Sequence, residues 1–418
     1  MIDLLGHGTN LGYCTNVHPG ETFSDIVESL TANALAVRAS WNDGRRLGLG
    51  LWMPYFVPPP DVMGSKERFV EWDMCGIGND RVAALRDWLR GNGLYVFTGN
   101  AFPFAGFHGR RVKHRVYEPD WSDKLRFMQS VAAVGLMADL AAPDMVRHGR
   151  SGGSVSTLPI GWSRPEGDAA RVEAAGEWLR LATTFIGAAS SAVGGLLTLD
   201  LEPEPGCILD TADDVIAFFD EHLPDEAHRR HIGVCHDVCH AAVMFEDQRT
   251  VLRRYAEAGI RVNKVQISSA LDVDVQAIGV EAAIEHLRPF AEPRYLHQTG
   301  VQRREGDPGS FELIEDLPEA IAMLERVRDG GDASQVPDRL RVHFHVPVYL
   351  DSIGPLGSTH GQIAEAVAAA REYHDTRHFE VETYAWGVLP EELKRGTLAE
   401  GIADELKWVL RACAPGRG

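Results

Sequence analysis

Four short runs of β character in this chain end on a side chain that binds metals or moves protons: residues 196–202 (LLTLDLE), 232–237 (IGVCHD), 341–345 (RVHFH) and 379–382 (FEVE). Turn residues and a helix-like stretch follow each one. The same alternation runs the length of the chain, with candidate strands at 12–17, 47–53, 94–98, 154–158, 196–201, 231–235, 262–267, 295–298, 342–346 and 379–384. Strands that alternate with amphipathic helices build a parallel sheet with helices packed over it. When such a sheet closes, the C-terminal strand ends meet over one mouth, and active sites are built there. The expected fold is therefore α/β, a TIM (β/α)8 barrel formed by one domain spanning 1–418.

Ten candidate strands are two more than such a barrel holds. The surplus is expected at 295–298, which a polar stretch (VQRREGDPGSFE) follows, and at one of the two N-terminal runs, either of which would form an insertion on the rim. The helices carry their own signals. Phe23, Ile26, Val27, Leu30, Ala34 and Val37 recur at helical spacing behind Thr22, a capping residue, and Val82, Leu85 and Leu89 recur up to Gly91. Thr211 with Asp214, and Thr397 with Glu400, read as capping boxes.

Composition narrows the function. Of the 418 residues 44% are hydrophobic and 24% charged, the mixture of a soluble globular chain, and the net charge of −19 argues against sequence-independent binding to nucleic acid or to an anionic membrane. A small ligand fits better; self-association into a homo-oligomer stays open. The uncharged run 181–199 has nearly the length of a membrane span, but threonines, serines and Gly187, Gly194 and Gly195 dilute it, and the last two divide it into a helix end and a strand start. No membrane insertion is expected. The N-terminal residues show no cationic segment leading into an apolar core, which points to the cytoplasm. Six sparse cysteines then read as reduced thiols, and Cys235 with Cys239, spaced C-x3-C without a second pair, read as small apolar residues before they read as zinc ligands.

Side chains alternate along a strand, so Asp200 and Glu202 share a face, as do Cys235 and Asp237, Lys264 and Gln266, His343 and His345, and Glu380 and Glu382. If the last polar residue of each strand points inward, Glu202, Asp237, Gln266, His345 and Glu382 converge. Three carboxylates, an amide and an imidazole suit a divalent metal of the Mn, Mg, Fe or Zn kind. The expected ligands are Glu202, Asp237, His345 and Glu382, with His343 one layer deeper. Asn16, His18, Asn100, Gln266 and His343 are candidates for binding substrate; for Asn16, His18 and Asn100 a turn-forming role competes. Glu204 reads as a surface carboxylate, and His236 as a residue facing a helix.

These motifs resemble the xylose-isomerase-like superfamily of sugar isomerases and epimerases. Its epimerase members hold a metal with Glu, Asp, His and Glu at successive late strand ends, the Asp standing in D-x-x-H. Glu202, Asp237 with His240 in Asp-Val-Cys-His, and Glu382 in Val-Glu-Thr-Tyr match the first, second and fourth. At the third, this chain has Gln266 in Val-Gln-Ile-Ser-Ser-Ala, and the nearest imidazoles are His343 and His345. The stretches YCTNVHPGE (13–21), LEPEP, HDVCH and HFHVP more narrowly resemble the EboE family of metabolite-traffic proteins, encoded with a dehydroquinate-synthase-type cyclase, a prenyltransferase and a hydrolase. The resemblance implies a small polyol- or cyclitol-derived metabolite. The epimerase resemblance implies proton transfer beside a carbonyl, with Glu202 or Glu382 as general base and His240 orienting a hydroxyl. A metal-dependent phosphodiesterase, a dehydratase and a non-catalytic carrier with a degenerate site are the rival expectations.

Overall fold

The computed structural model describes residues 8–54, 79–148, 152–304, 307–332, 335–394 and 396–414. Fourteen strands are found among them: β1 (Asn10–Cys14), β2 (Leu47–Trp52), β3 (Leu94–Asn100), β4 (Ser154–Thr157), β5 (Thr198–Leu201), β6 (Ile232–Asp237), β7 (Val262–Ile267), β8 (Leu271–Asp274), β9 (Thr299–Gln302), β10 (Phe311–Ile314), β11 (Arg339–Val342), β12 (Ser352–Ile353), β13 (Leu356–Ser358) and β14 (His378–Val381). Eight close into a parallel barrel in the order β1-β14-β7-β6-β5-β4-β3-β2, β2 pairing back onto β1. The other six form an antiparallel sheet, β10-β9-β11-β8-β13-β12, lying wholly in the connection between β7 and β14.

Alternation decides what the barrel strands bury. Leu199, Leu201, Val234, Val265, Ile267, Phe379 and Val381 are fully buried in the main hydrophobic cluster, which includes residues of the covering helices. The intervening positions turn inward. Lys264 Nζ on β7 reaches across to Gly99 O (3.2 Å), Ser156 Oγ (3.2 Å) and Glu380 Oε2 (3.0 Å) on three other strands. The interior is tight: a Cβ on Gly12 would lie 2.3 Å from the Gly48 carbonyl oxygen, and one on Gly50 would lie 2.0 Å from the Glu380 carboxylate.

The capping expectations hold. Thr22/Asp25, Thr211/Asp214 and Thr397/Glu400 each form reciprocal boxes at the starts of Phe23–Ser29, Ala212–His222 and Leu398–Ala412. The helix Asn79–Gly91 ends at its glycine. Gly194, at φ 66°, ends Ala169–Val193 before β5 begins, so the uncharged run divides as expected. No helix among the described residues is long and apolar enough to cross a membrane.

The surplus strands need correction. Both N-terminal candidates are barrel strands, so neither forms a rim insertion. Residues 295–298 precede β9 and are not a strand, while the 342–346 run, expected in the barrel, is the end of β11 and the segment after it. Burial explains the difference. Along β5, β6 and β14 every residue is buried, whereas Arg339–Val342 alternates half-exposed Arg with buried Leu and Val, the pattern of a sheet open on one face. The inserted sheet and its helices Val280–Leu287 and Leu317–Arg328 enclose a second cluster around Leu271, Leu324, Leu340, Phe344 and Trp386.

Candidate metal centre

Glu202, Asp237 and Glu382 come from the ends of β5, β6 and β14, and ligand oxygens of the three lie within 4.8 Å of one another. All are buried, at 3%, 2% and 5% exposure. Three carboxylates so close repel, and burial adds to the cost of charging them. Burial, then the neighbouring Glu202, Asp237 and Glu380, pushes the Glu382 carboxyl well above its ordinary range. Burial likewise lifts Glu202 to about 7. Asp237 behaves differently: burial opposes its charge, but His240, His345 and the Ser268 hydroxyl outweigh that and hold it below the usual value.

The hydrogen bonds leave one atom each of Glu202, Asp237 and His345 without a partner. Asp237 Oδ1 accepts from the His240 backbone N–H (2.9 Å) and Ser268 Oγ (2.7 Å), so it caps the helix Val238–Val243 while its Oδ2 has no partner. Glu202 Oε2 is also without a partner. Glu382 Oε1 accepts from Asn16 Nδ2 (2.7 Å) and Asn100 Nδ2 (3.3 Å). His345 Nδ1 donates to the Glu382 carbonyl oxygen (3.1 Å), which fixes Nε2 as the lone-pair nitrogen. That Nε2 has no partner and lies 4.0 Å from Asp237 Oδ2. Burial pushes the His345 imidazole down to about 4, so it presents a lone pair at neutral pH. Oxygens of Glu202, Asp237 and Glu382 gathered in one buried space, with the unpartnered His345 Nε2 beside Asp237 Oδ2, are donors of the kind that a hard or borderline dication takes, and these residues fit one.

His345 reaches this point from the inserted sheet. Val346 N–H donates to Ser269 O (3.0 Å) and His343 N–H to Gln298 O (2.8 Å), which lays the segment after β11 over the barrel mouth. His343 is thus not one layer deeper in the barrel. It stands beside His240, with its Nδ1 on Gln298 Oε1 (2.8 Å), and burial followed by His240 and His345 drives its imidazole well below the ordinary value.

The remaining candidates divide. Asn16 and Asn100 line the cleft over the centre but spend their amide N–H groups on Glu382. His18 does not line it; its Nε2 pairs with Tyr13 Oη at 3.1 Å. Gln266 is fully buried in register with Asp237 and Glu380, and neither amide atom has a partner. His236 faces the helix Gln248–Glu257 and contacts Gln248 Oε1 (2.7 Å), as its alternation implies.

Glu204 overturns the surface reading. It is 6% exposed and accepts from Tyr117 Oη (2.7 Å) and Gln298 Nε2 (3.0 Å). The signal that could have found it is Pro-Glu-Pro after a strand end, which holds the turn rigid over the mouth; Tyr117 and Gln298 carried no signal. The cleft above the carboxylates, a cavity of about 70 Å³, is walled by Phe102, Phe107, Tyr117, Tyr295 and Tyr384, which give it an apolar face.

The sequence matches no family model, and no curated protein matches it. Solved structures do resemble the fold. A xylose isomerase-like TIM barrel protein from Mycobacterium smegmatis, in complex with magnesium, aligns over 99% of this chain and 98% of its own at 13% identity and TM-score 0.49. The IOLI protein, solved with zinc, aligns over 97% and 98% at 11% identity and TM-score 0.43. An L-ribulose 3-epimerase aligns over 69% and 80% at 16% identity and TM-score 0.37. At these identities the likeness is one of fold.

Proposed function

We propose that the protein is a metal-dependent isomerase or epimerase of a small sugar- or cyclitol-like polyol, acting by proton transfer next to a carbonyl. One observation carries this reading: carboxylate oxygens of Glu202, Asp237 and Glu382 lie within 4.8 Å of one another at the floor of an aromatic cleft, with the unpartnered His345 Nε2 beside Asp237 Oδ2. Glu202, Asp237, His345 and Glu382 would hold a divalent cation, which supplies Lewis acidity to a carbonyl and its neighbouring hydroxyl.

The chain's own groups do the rest. Glu202, lifted to about 7 by burial, is the general base for the C–H beside the carbonyl, through the carboxylate oxygen that the cation would leave free. Glu382 is less free, since Asn16 and Asn100 hold its Oε1 in place. The aromatic walls exclude water and take the apolar face of the ring. The motifs that resemble metabolite-traffic proteins agree with a small biosynthetic substrate.

The test is metal analysis combined with exchange of carbon-bound hydrogen from deuterated water, followed by NMR on a panel of ketoses, aldoses and cyclitol ketones. Stoichiometric metal that is lost in Glu202→Ala and Glu382→Ala, with deuterium entering beside the carbonyl of one panel member, is the expected result. Metal-free protein that still binds a polyol, with no exchange, would replace this reading with carriage. The carrier reading drew its weight from Gln266, and His345 takes that weight away by offering an imidazole to the same carboxylates.

A further inference from the structure

Two histidine nitrogens in the cleft face each other at hydrogen-bond distance, so a proton or a cation must lie between them. His240 Nδ1 is 2.8 Å from the Pro203 carbonyl oxygen, so it carries a proton, and Nε2 is a lone pair unless a second proton joins the ring, which burial opposes and Asp237, Glu204 and Glu202 favour. His343 Nδ1 is 2.8 Å from Gln298 Oε1. The Gln298 amide cannot be turned over, because its Nε2 is surrounded by three acceptors, Tyr117 Oη, Glu204 Oε1 and Pro205 O, at 2.9 to 3.0 Å. His343 Nδ1 is therefore also a donor, and its Nε2 is also a lone pair. The two Nε2 atoms are 3.2 Å apart. Lone pairs so placed repel unless something positive lies between them.

The spacing fits a particular filler. Two nitrogens bound at 2.0–2.1 Å to one tetrahedral zinc stand ~3.3 Å apart, close to the separation found here. A Glu204 carboxylate oxygen completes a triad whose donor atoms all lie within 4.8 Å of one another. Glu204, His240 and His343 are 6%, 6% and 4% exposed, and all line the cleft. Tyr384 Oη, 3.5 Å from His343 Nε2, stands at the open side.

We propose that Glu204, His240 and His343 form a second cation site, taking a first-row dication such as zinc or cobalt, next to the centre formed by Glu202, Asp237, His345 and Glu382. Asp237, His240 and His345 connect the two, their donor atoms also lying within 4.8 Å of one another. The second site needs the inserted sheet, since His343 and its orienting Gln298 both belong to that connection. It would take a substrate oxygen on the side of the cleft away from Glu382, so a substrate with two adjacent oxygens could span both cations. Cys239 also comes within reach of His343 and His345, but it is not part of the group that Glu204, His240 and His343 form, so it is not counted as a ligand. The proposal deepens the metal-dependent reading above by adding a second, independently testable equivalent.

The test is titration of chelator-treated full-length protein with Co²⁺, followed by visible absorption and by metal content after desalting. Wild type should hold two equivalents per chain. His343→Ala and Glu204→Gln should each keep the first and weaken the second by at least ~10-fold, with thermal unfolding confirming that both variants fold. Cys239→Ser should change nothing. A wild type that binds one equivalent, with affinity unaltered in His343→Ala, would overturn the proposal and assign a shared proton to the histidine pair. Failure of the first centre reads differently: Glu202→Ala would then retain all the cobalt that wild type binds.

Discussion

Lys264 and Glu380 form an ion pair of 3.0 Å at the centre of the barrel, both with no solvent exposure. Burial works against the Lys264 ammonium, but Glu380 and the surrounding groups raise it far above its ordinary value, so it stays charged. Neither Glu380 oxygen has a hydrogen-bond partner beyond this contact. Lys264→Met therefore strands a carboxylate in the barrel interior, which costs ~3–5 kcal/mol. With ~2.1 cal/mol/K of unfolding entropy per residue, 418 residues give ~0.9 kcal/mol/K, so the loss corresponds to a fall of ~3–6 °C in Tm.

The double variant distinguishes pairing from packing. Lys264→Met with Glu380→Met removes both charges at similar volume and should return to within ~2 kcal/mol of wild type, the residue being the bonds lost to Gly99 O and Ser156 Oγ. Differential scanning calorimetry of the metal-free protein reads both. If the single and double losses simply add, the two groups are not coupled and the reasoning fails.

Glu405, fully buried on Leu398–Ala412, is pushed up to about 8 by burial, although it accepts from Val348 N–H at 3.0 Å. A raised carboxyl binds more protons folded than unfolded, so its folded-state stability falls as pH rises from about 4.5 to about 8, by at most ~5 kcal/mol. Glu405→Gln should match wild type in Tm near pH 4 and exceed it at pH 8; equal values at pH 8 would contradict this. Glu202 and Glu382, both raised, must lose protons to bind a cation, so Zn²⁺ affinity should fall as pH drops through about 7, by up to ~100-fold per unit for two protons. Calorimetry in buffers of different ionisation enthalpy reads the protons released; none released would count against these ligands. Gly50→Ala, with its Cβ 2.0 Å from the Glu380 carboxylate, should destabilise by ~1–3 kcal/mol in thermal unfolding, and an unchanged Tm would mean that the carboxylate moves aside freely.

What the sequence reveals follows from what local patterns encode. The capping boxes and the split at Gly194 are short-range, and each is found where its residues predict it. Glu202, Asp237 and Glu382 were legible because a carboxylate that ends an apolar barrel strand has only the mouth to face. Glu204, Tyr117 and Gln298 were not, since their partners lie 87 to 181 residues away and nothing local shows the contact. The RVHFH run misled because its end has the look of a barrel strand, whereas its alternating exposure belongs to an antiparallel sheet.

That misreading bears on Gln266. In the barrel, β7 lies between β6 and β14, so a ligand at its end would stand between Asp237 and Glu382. Gln266 supplies no charge there and no lone-pair nitrogen. The inserted connection leaves the barrel just after β7 and folds six strands before it returns, and between β11 and β12 the Val346 N–H donates to the carbonyl of Ser269, two residues beyond β7. His345 is thereby set against Asp237 Oδ2 on one side and the Glu382 carbonyl on the other. His345 stands 79 positions along the sequence from Gln266, and it reaches the mouth, together with His343, from the inserted connection rather than from a barrel strand.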